Sequence, residues 1–298
     1  MCGIVGLFIK DKSLEANLGA MLSDMLVTMT DRGPDSAGIA VYGDGDEAQT
    51  KVSVQSDNPD ADFERLSAKL ADSIGPNYGF ERKSTHVICT IPKAAMAQFK
   101  VLLDQEFPDL TTMSRGENME IFKEVGLPCD VVERFGIRDM HGTHGIGHTR
   151  MATESAVTTN GAHPFSTGSD QCLVHNGSLS NHNNLRRELT HYGITLETKN
   201  DSEVAAAYLT WKMQNGANLG EALESGLNDL DGFFTFVVGT QDGFGVLRDP
   251  IACKPAVLAE TDKYVAFGSE YRALVNLPGI ADAKIWEPEP ATVYFWER

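Results

Sequence analysis

The sequence has no hydrophobic run long enough to cross a membrane and no excess of positive charge. No apolar stretch approaches the roughly 20 residues that a spanning helix needs. The N-terminal segment, MCGIVGLFIKDKSLE, lacks the basic start of a secretory signal. The formal net charge of −17 argues against charge-driven binding to nucleic acid or to an anionic membrane. We therefore predict a cytoplasmic protein that has neither nucleic acid nor membrane as a partner.

Cysteine is also scarce. Five cysteines stand at irregular spacing and none forms a CxxC pair, which fits neither a disulfide framework nor a zinc site. The chain shows no repeat of fixed period, no glycine-rich phosphate loop and no dinucleotide-binding fingerprint. We predict no metal site and no cofactor on this chain.

Short apolar segments bounded by turn residues predict most of the strands. Residues 3–9 and 36–42 are the first two, and residues 13–31 between them carry an apolar stripe at helical spacing. After His144 the pattern predicts further strands, with helices at 202–214 and 219–227 between them. Two runs of strands with few helices predict an α+β fold in which two antiparallel sheets pack together and are covered by helices.

Residues 45–140 differ in character from the chain on either side. A polar, acid-rich stretch comes first, and helices are predicted at 94–106 and 116–125. We interpret this segment as an α+β insertion, or small subdomain, within a domain that spans residues 2–298. The sequence gives it no chemical role, and we expect it to contact a partner.

Cys2 becomes the N-terminal residue if Met1 is removed. It would then carry a thiol, the strongest ordinary side-chain nucleophile, together with a free α-amine that can take or return a proton near neutral pH. Nucleophile and base would belong to one residue. The apolar segment that follows predicts a rigid strand to hold it.

Polar and glycine-containing blocks follow Cys2 along the chain. In order they are Asp31-Arg32-Gly33-Pro34-Asp35-Ser36, Gly147–Thr153, Asn160–Phe165, His175-Asn176-Gly177-Ser178-Leu179, Asn200-Asp201-Ser202-Glu203, Arg248-Asp249-Pro250 and Gly268-Ser269-Glu270. This series resembles the class II, N-terminal-cysteine glutamine amidotransferase domain over nearly the whole chain outside 45–140. The resemblance implies the four-layer αββα fold of the N-terminal-nucleophile hydrolases.

The resemblance also implies a role for particular residues in hydrolysing glutamine. Cys2 is the expected nucleophile, and Asn176 and Gly177 are the expected oxyanion hole. Arg150 is expected at the α-carboxylate, which a guanidinium matches bidentately. Asp201 is expected at the α-ammonium, while Thr153 supports the glutamine pocket. Three histidines and two loop residues are expected to be structural, namely His148, His163, His175, Arg32 and Asp35.

Two positions depart from the pattern of relatives that act on phosphosugars. Those relatives carry Trp after the arginine and His-Gly after the threonine, whereas this chain has Met151 and Glu154-Ser155. The positions belong to the loop that closes over glutamine in that family. The change bears on loop closure and on signalling to a partner more than on the cysteine chemistry.

No synthase motif follows the glutaminase blocks, so the ammonia acceptor is expected on a separate chain. The chain resembles the stand-alone amidotransferase subunits of glutamate-synthase-like systems, among them N-methylglutamate synthase. That resemblance implies partner chains carrying FMN and an iron–sulfur cluster. Two alternatives remain open: a catalytically weak glutamine- or glutamate-binding regulatory or scaffold subunit, and an N-terminal-nucleophile amidase acting on another acyl substrate.

Overall fold

The computed structural model describes residues 2–152 and 156–298, which form sixteen β-strands and seven α-helices. The strands are β1 Gly3–Ile9, β2 Ser36–Tyr42, β3 Gln49–Gln55, β4 Gly79–Lys83, β5 His86–Pro92, β6 Thr111–Gly116, β7 Met119–Val125, β8 His144–Arg150, β9 Phe165–Gly168, β10 Gln171–Leu179, β11 Gly232–Gly239, β12 Gly243–Arg248, β13 Val257–Glu260, β14 Tyr264–Gly268, β15 Lys284–Trp286 and β16 Thr292–Glu297. The helices are α1 Leu18–Thr28, α2 Pro59–Ile74, α3 Met96–Glu106, α4 Pro128–Phe135, α5 His182–His191, α6 Asp201–Gln214 and α7 Leu219–Asp229. Short 3-10 helices lie at Lys12–Asn17, Thr30–Arg32, Lys93–Ala95, Ile137–Asp139, Tyr271–Ala273 and Ile280–Asp282.

Two antiparallel sheets form the body of the molecule. The first has seven strands in the order β15-β13-β14-β1-β8-β2-β7, and the second has five in the order β16-β12-β11-β10-β9. Their strands pair antiparallel throughout. This arrangement confirms the α+β prediction of two antiparallel sheets.

The continuous apolar run of β1 is explained by burial on both of its faces. Val5, Leu7 and Ile9 pack with helix α1 in one core cluster. Ile4 and Phe8 point the other way and pack against Val237 and Phe244 of the second sheet. Because successive side chains of a strand alternate between faces, a strand buried on both sides is apolar at every position.

Helices cover the outer face of each sheet. Helices α1 and α4 share a core with the first sheet, and α5, α6 and α7 share one with the second. A third cluster lies between the two sheets. The resulting order is helix, sheet, sheet, helix, which confirms the predicted αββα layers. None of the helices within the described ranges has the length and apolar character of a bilayer span.

A smaller antiparallel sheet, in the order β4-β5-β3-β6, has its own core with α2 and α3. It occupies residues 49–116 of the segment predicted as an insertion. The rest of that segment joins the body, since β7 pairs with β2 and α4 packs on α1.

The helix predicted at 116–125 is therefore wrong. The chain makes a turn after β6 and continues as β7, whose register pairs Tyr42 with Met119 and Ser36 with Val125. Pairing with a neighbouring strand overrides the local pattern of so short a segment. The helix predicted at 13–31 is also broken, into α1 and two flanking 3-10 turns.

Candidate active site

The ends of four neighbouring strands of the first sheet meet beside Cys2. The register pairs Gly3 with Thr149 and Ser36 with Arg150, so the start of β1, the end of β8 and the start of β2 share one edge. On the other side of β1, Val5 pairs with Gly268 at the end of β14. Residues far apart in sequence are thereby brought to one edge of the sheet.

Cys2 is half-buried and is held through its carbonyl oxygen from two directions. Arg32 Nε donates to that oxygen at 3.0 Å, and Asn176 Nδ2 donates to it at 3.4 Å. Arg32 belongs to the turn after α1, whereas Asn176 lies on β10 of the second sheet. The candidate nucleophile therefore stands at the junction of the two sheets.

Arg32 is itself fixed by an ion pair. Its Nη1 donates to Glu270 Oε1 at 2.5 Å, and Arg272 Nε lies 2.6 Å from Glu270 Oε2. Hydrogen bonding from the Arg32 guanidinium lowers the pKa of the Glu270 carboxyl. Glu270 thus stays ionised and keeps Arg32 aligned with the Cys2 carbonyl. This supports the predicted structural role of Arg32.

Asn176 and Gly177 lie inside strand β10, not in a hairpin turn, which is the commonest setting of an Asn-Gly pair. Asn176 is 4% exposed and its side chain faces Cys2. Gly177 has φ +151°, and a Cβ there would overlap the carbonyl oxygen of Phe233 and lie 2.7 Å from Phe234 Cα. The backbone of β11 therefore excludes a side chain at position 177.

Arg150 is the last residue of β8 and is buried. Its Nη1 donates to the carbonyl oxygen of Ala156 at 3.3 Å. Asp35 fixes the chain around it, because its N–H donates to the Arg150 carbonyl at 3.1 Å and its Oδ2 accepts from Ala152 N at 2.8 Å. Asp35 therefore has the structural position that was predicted. Thr153 lies outside the described residues.

Asp201 is the first residue of α6 and its side chain remains 23% exposed. The helix cap is its neighbour, because Asn200 Oδ1 accepts from Ser202 N at 2.9 Å. Asp201 Oδ2 accepts from the N–H of Leu179, three residues after Asn176, at 3.0 Å. Its carboxylate is consequently tied to the strand that carries the oxyanion-hole candidates and is not needed as a plain cap.

Three buried histidines lie behind these residues. The rings of His148 and His163 stack at 4.0 Å, and His148 Nε2 lies 3.2 Å from the His175 carbonyl oxygen. Burial lowers the pKa of His148 to about 3 and that of His175 to about 4, and it lowers the pKa of His163 well below its ordinary value. All three are neutral at physiological pH and hydrogen-bonded, which fits a structural role.

Sequence reasoning assigned no role to two residues that the fold places here. Glu270 pairs with Arg32 across 238 positions of sequence, a separation at which local pattern carries no signal. Ser202 lies between His163 and His175, within hydrogen-bond distance of both. Its position directly after Asp201 was the only available signal.

With this geometry established, the family of the chain follows from its relatives. The family model described as a glutamine amidotransferase domain matches residues 148–276. The chain is 67% identical over 298 residues to glutamine amidotransferase-like protein GlxB of Rhizobium meliloti, covering 100% of this chain and 99% of the relative. The chain belongs to the glutamine amidotransferase family.

More distant relatives agree. A putative glutamine amidotransferase of Methanothermobacter thermautotrophicus is 33% identical over 99% of both chains. The glutamine phosphoribosylpyrophosphate amidotransferase of B. subtilis superposes with TM-score 0.63 at 18% identity, covering 99% of this chain and 47% of that one. This chain thus spans about half the length of that solved chain. The likeness confirms the N-terminal-nucleophile amidotransferase fold.

Proposed function

We propose that this chain is the glutaminase subunit of a multi-subunit synthase and that it hydrolyses glutamine through the thiol of Cys2. The observation that carries the proposal is the meeting of Asn176 with Cys2 across the two sheets. Asp201 is tied to the same strand as Asn176, and Arg150 ends the strand beside β1. A thiol, an amide donor and two charged groups of opposite sign suit the amide of an α-amino acid.

The proposed reaction begins with glutamine held by its α-carboxylate at Arg150 and its α-ammonium at Asp201. The Cys2 sulfur bonds to the side-chain amide carbon, and the thiol proton passes to the α-amine. The Asn176 amide and the Gly177 N–H stabilise the oxyanion. The carbon–nitrogen bond then breaks, and the leaving nitrogen takes the proton and departs as ammonia. Water hydrolyses the thioester, which releases glutamate and restores the thiol.

The ammonia is proposed to pass to a synthase on a separate chain. The assignment to a glutamate-synthase-like or N-methylglutamate synthase complex rests on the resemblance of the sequence to the amidotransferase subunits of such systems. FMN and an iron–sulfur cluster belong to a partner chain in this proposal, and no step on this chain passes through them. Purification from native extract tests the idea: a co-purifying flavin- and iron-containing chain supports it, and a chain that runs alone at its monomer mass contradicts it.

Glutamate release from glutamine tests the glutaminase step directly. We expect release by the wild-type chain or its complex, no release by Cys2→Ala, and normal release by Cys129→Ala, which removes an exposed cysteine of α4. Diazo-oxo-norleucine is expected to label wild type and Cys129→Ala but not Cys2→Ala. Release that is independent of Cys2, or no release from either preparation, contradicts the proposal.

Intact mass is the complementary measurement, because the α-amine of Cys2 is available only after Met1 is removed. We expect the purified active chain to lack the mass of one methionine. Glutaminase activity in a chain that retains Met1 would exclude the α-amine as the base.

A second candidate function is glutamine or glutamate binding without efficient turnover, as a regulatory or scaffold subunit. It is favoured by Met151, which is 37% exposed directly after Arg150 at a position where phosphosugar-handling relatives carry Trp. Glu154 lies outside the described residues. Tight binding of glutamine by wild type without Cys2-dependent glutamate release would favour this candidate over the first. The third alternative, an amidase for another acyl group, is disfavoured by the family to which the chain belongs.

A further inference from the structure

Ser202 contacts three polar groups although a hydroxyl carries only one hydrogen. Its Oγ lies 2.8 Å from His163 Nε2, 2.9 Å from His175 Nδ1 and 3.4 Å from Asp201 Oδ1. Ser202, His163 and His175 are all buried. A hydroxyl oxygen donates one hydrogen bond and accepts up to two, whereas an ionised carboxylate only accepts.

These rules leave one arrangement that satisfies all three contacts. Both histidines donate their single N–H to Ser202 Oγ, and the hydroxyl hydrogen goes to Asp201. If the hydroxyl donated to either histidine instead, its lone pairs would face the Asp201 carboxylate without a hydrogen between them. The remaining ring nitrogens, His163 Nδ1 and His175 Nε2, are then bare lone pairs, and neither has a hydrogen-bond partner among the described residues.

The arrangement links separate parts of the candidate site. His175 directly precedes Asn176 on β10, so its bond to Ser202 ties the strand that faces Cys2 to the start of α6. His163 comes from the loop before β9. Asp201 receives one hydrogen bond on each carboxylate oxygen, from Ser202 and from Leu179 N, and keeps lone pairs and partial exposure toward a ligand.

We propose that Ser202 is a positioning residue that gathers the N–H groups of His163 and His175 and orients the Asp201 carboxylate to receive the α-ammonium of the substrate. This inference rests on the proposed function and deepens it. Ser202 touches no substrate atom. Its effect is on ligand selectivity, because it orients Asp201. In the proposed site, the Asp201 carboxylate is the group that distinguishes an α-amino acid from the same acid without its amine.

The test compares glutamine with glutaramate, which is glutamine without the α-amine. Binding is measured by calorimetry in a Cys2→Ala background, so that no turnover interferes. Ser202→Ala is expected to raise the Kd of glutamine about tenfold while changing that of glutaramate by less than about twofold, because only glutamine uses Asp201. Ser202→Thr keeps the hydroxyl and is expected to restore most of the preference.

His163→Phe is the second variant, in case Ser202→Ala does not fold. Phenylalanine keeps a ring against His148 but removes the N–H that Ser202 accepts. His163→Phe is also expected to reduce the preference for glutamine over glutaramate, but by less than Ser202→Ala does. Thermal unfolding of each variant shows that the fold is intact.

The outcomes separate this inference from the glutaminase proposal. An equal loss for both ligands, an unchanged preference, or no glutamine binding by Cys2→Ala overturns the role of Ser202, whatever the activity of the wild type. A lost preference together with an inactive wild type overturns the glutaminase proposal and leaves the role of Ser202 standing. In an active wild type, Ser202→Ala should also raise KM for glutamine more than it lowers kcat.

Discussion

The layered body and the small sheet of residues 49–116 are built on different principles. Strands of the body such as β1 are buried on both faces, and the candidate site residues belong to the body, with Arg150 at the end of β8, Asn176 within β10 and Asp201 at the start of α6. The small sheet packs its own helices α2 and α3 around a separate core and contributes none of the proposed site residues. The family model also begins after it, at residue 148.

The two parts are joined along β7: Lys51 of β3 pairs with Glu120, and Ile88 of β5 packs in the core of the first sheet. Tyr42 and Met119 are register partners, so the chain leaves the body at one point and returns beside it. Asp170, in the turn between β9 and β10, accepts from the backbone N–H groups of Glu117, Asn118 and Met119 at 2.7–3.0 Å. The proposed site residues all lie in the body and none lies in the small sheet, and each of the following predictions tests that division.

The largest effect of a substitution away from Cys2 is expected within the body, at Gly177. Gly177→Ala forces a Cβ onto the Phe233 carbonyl at a positive φ. The strand must shift, which displaces the proposed oxyanion donors, and we expect glutaminase activity to fall by about 10² or more. Steady-state kinetics measures it. Gly193→Ala is the matched control, since Gly193 also has positive φ but open space around its Cβ position; equal losses in the two variants would contradict the steric argument.

A large loss of stability is expected at the junction. Asp170→Ala leaves three backbone N–H groups without their acceptor, and the residue is buried with φ +49°. We expect the free energy of unfolding to fall by about 3 kcal/mol. Asp170→Asn keeps one acceptor oxygen and should lose about half as much. Urea unfolding measures both, and equal stability of Asp170→Ala and wild type would show that the turn does not secure the junction.

Acid should destabilise both parts through their buried neutral histidines. Burial lowers the pKa of His86 in the small sheet and of His148 in the body to about 3. Between pH 6.5 and that value the unfolded chain binds protons that the folded chain does not, so stability falls as pH falls. Each such histidine contributes up to about 1.4 kcal/mol per pH unit.

Replacing one of these histidines tests whether the buried histidines cause the loss of stability in acid. His86→Gln is expected to reduce the slope of the unfolding free energy against pH between about pH 6 and 4. The reduction corresponds to at most one proton taken up on unfolding. The exposed His141 offers the matched control, since His141→Gln leaves the buried histidines in place. Urea titrations at several pH values give the slopes, and an unchanged slope in His86→Gln would contradict the prediction.

The smallest effect on activity is expected from removing the small sheet. Replacing residues 43–118 by a short turn rejoins Tyr42 to Met119, and we expect glutaminase activity to stay within about threefold of wild type. Assembly with a partner should be lost, because partner contact is the expected role of this segment. Size-exclusion chromatography checks the loss of assembly, and the glutaminase assay checks the retained activity. An intact complex would contradict the expected role of the small sheet in partner contact.

A deletion of the whole predicted segment, 45–140, is the informative contrast. It also removes β7, whose buried Lys123 donates to the carbonyls of Asn160, Ala162 and Pro164 around His163. We expect this longer deletion to unfold the loop behind Asp201 and to abolish activity. If both deletions behave alike, the boundary drawn between body and small sheet is wrong.

Local sequence patterns predicted the body well. In the small part they predicted helix α3, at 94–106, but not strand β3. Strands β1 and β2 are recognisable in the sequence as continuous apolar runs, and helix α6 is recognisable by the Asn200 cap at its start. Strand β3, QTKVSVQ, has only two apolar residues among seven, and its partners β5 and β6 lie more than thirty positions away. Such a strand is specified by its neighbours in space, which a single sequence does not display.

The candidate site divides in the same way. The site residues Cys2, Arg150, Asn176, Gly177 and Asp201 were proposed from the order of their motifs. The fold places Cys2 before β1, Arg150 at the end of β8, Asn176 and Gly177 within β10, and Asp201 at the start of α6. Their roles in catalysis remain predictions. The supporting contacts, Glu270 with Arg32 and Ser202 with two histidines, depend on distances between elements. Glu270 and Ser202 stand in blocks of the motif series, but the sequence does not show which residues they contact.

The way Cys2 is held has a practical consequence for handling the protein. Arg32 and Asn176 hold it through its carbonyl oxygen, so these two anchors do not require a free amine. An N-terminal affinity tag should therefore give a folded protein that is catalytically silent until a protease exposes Cys2. Such a preparation would act as its own zero-time control, with a single cut starting the reaction.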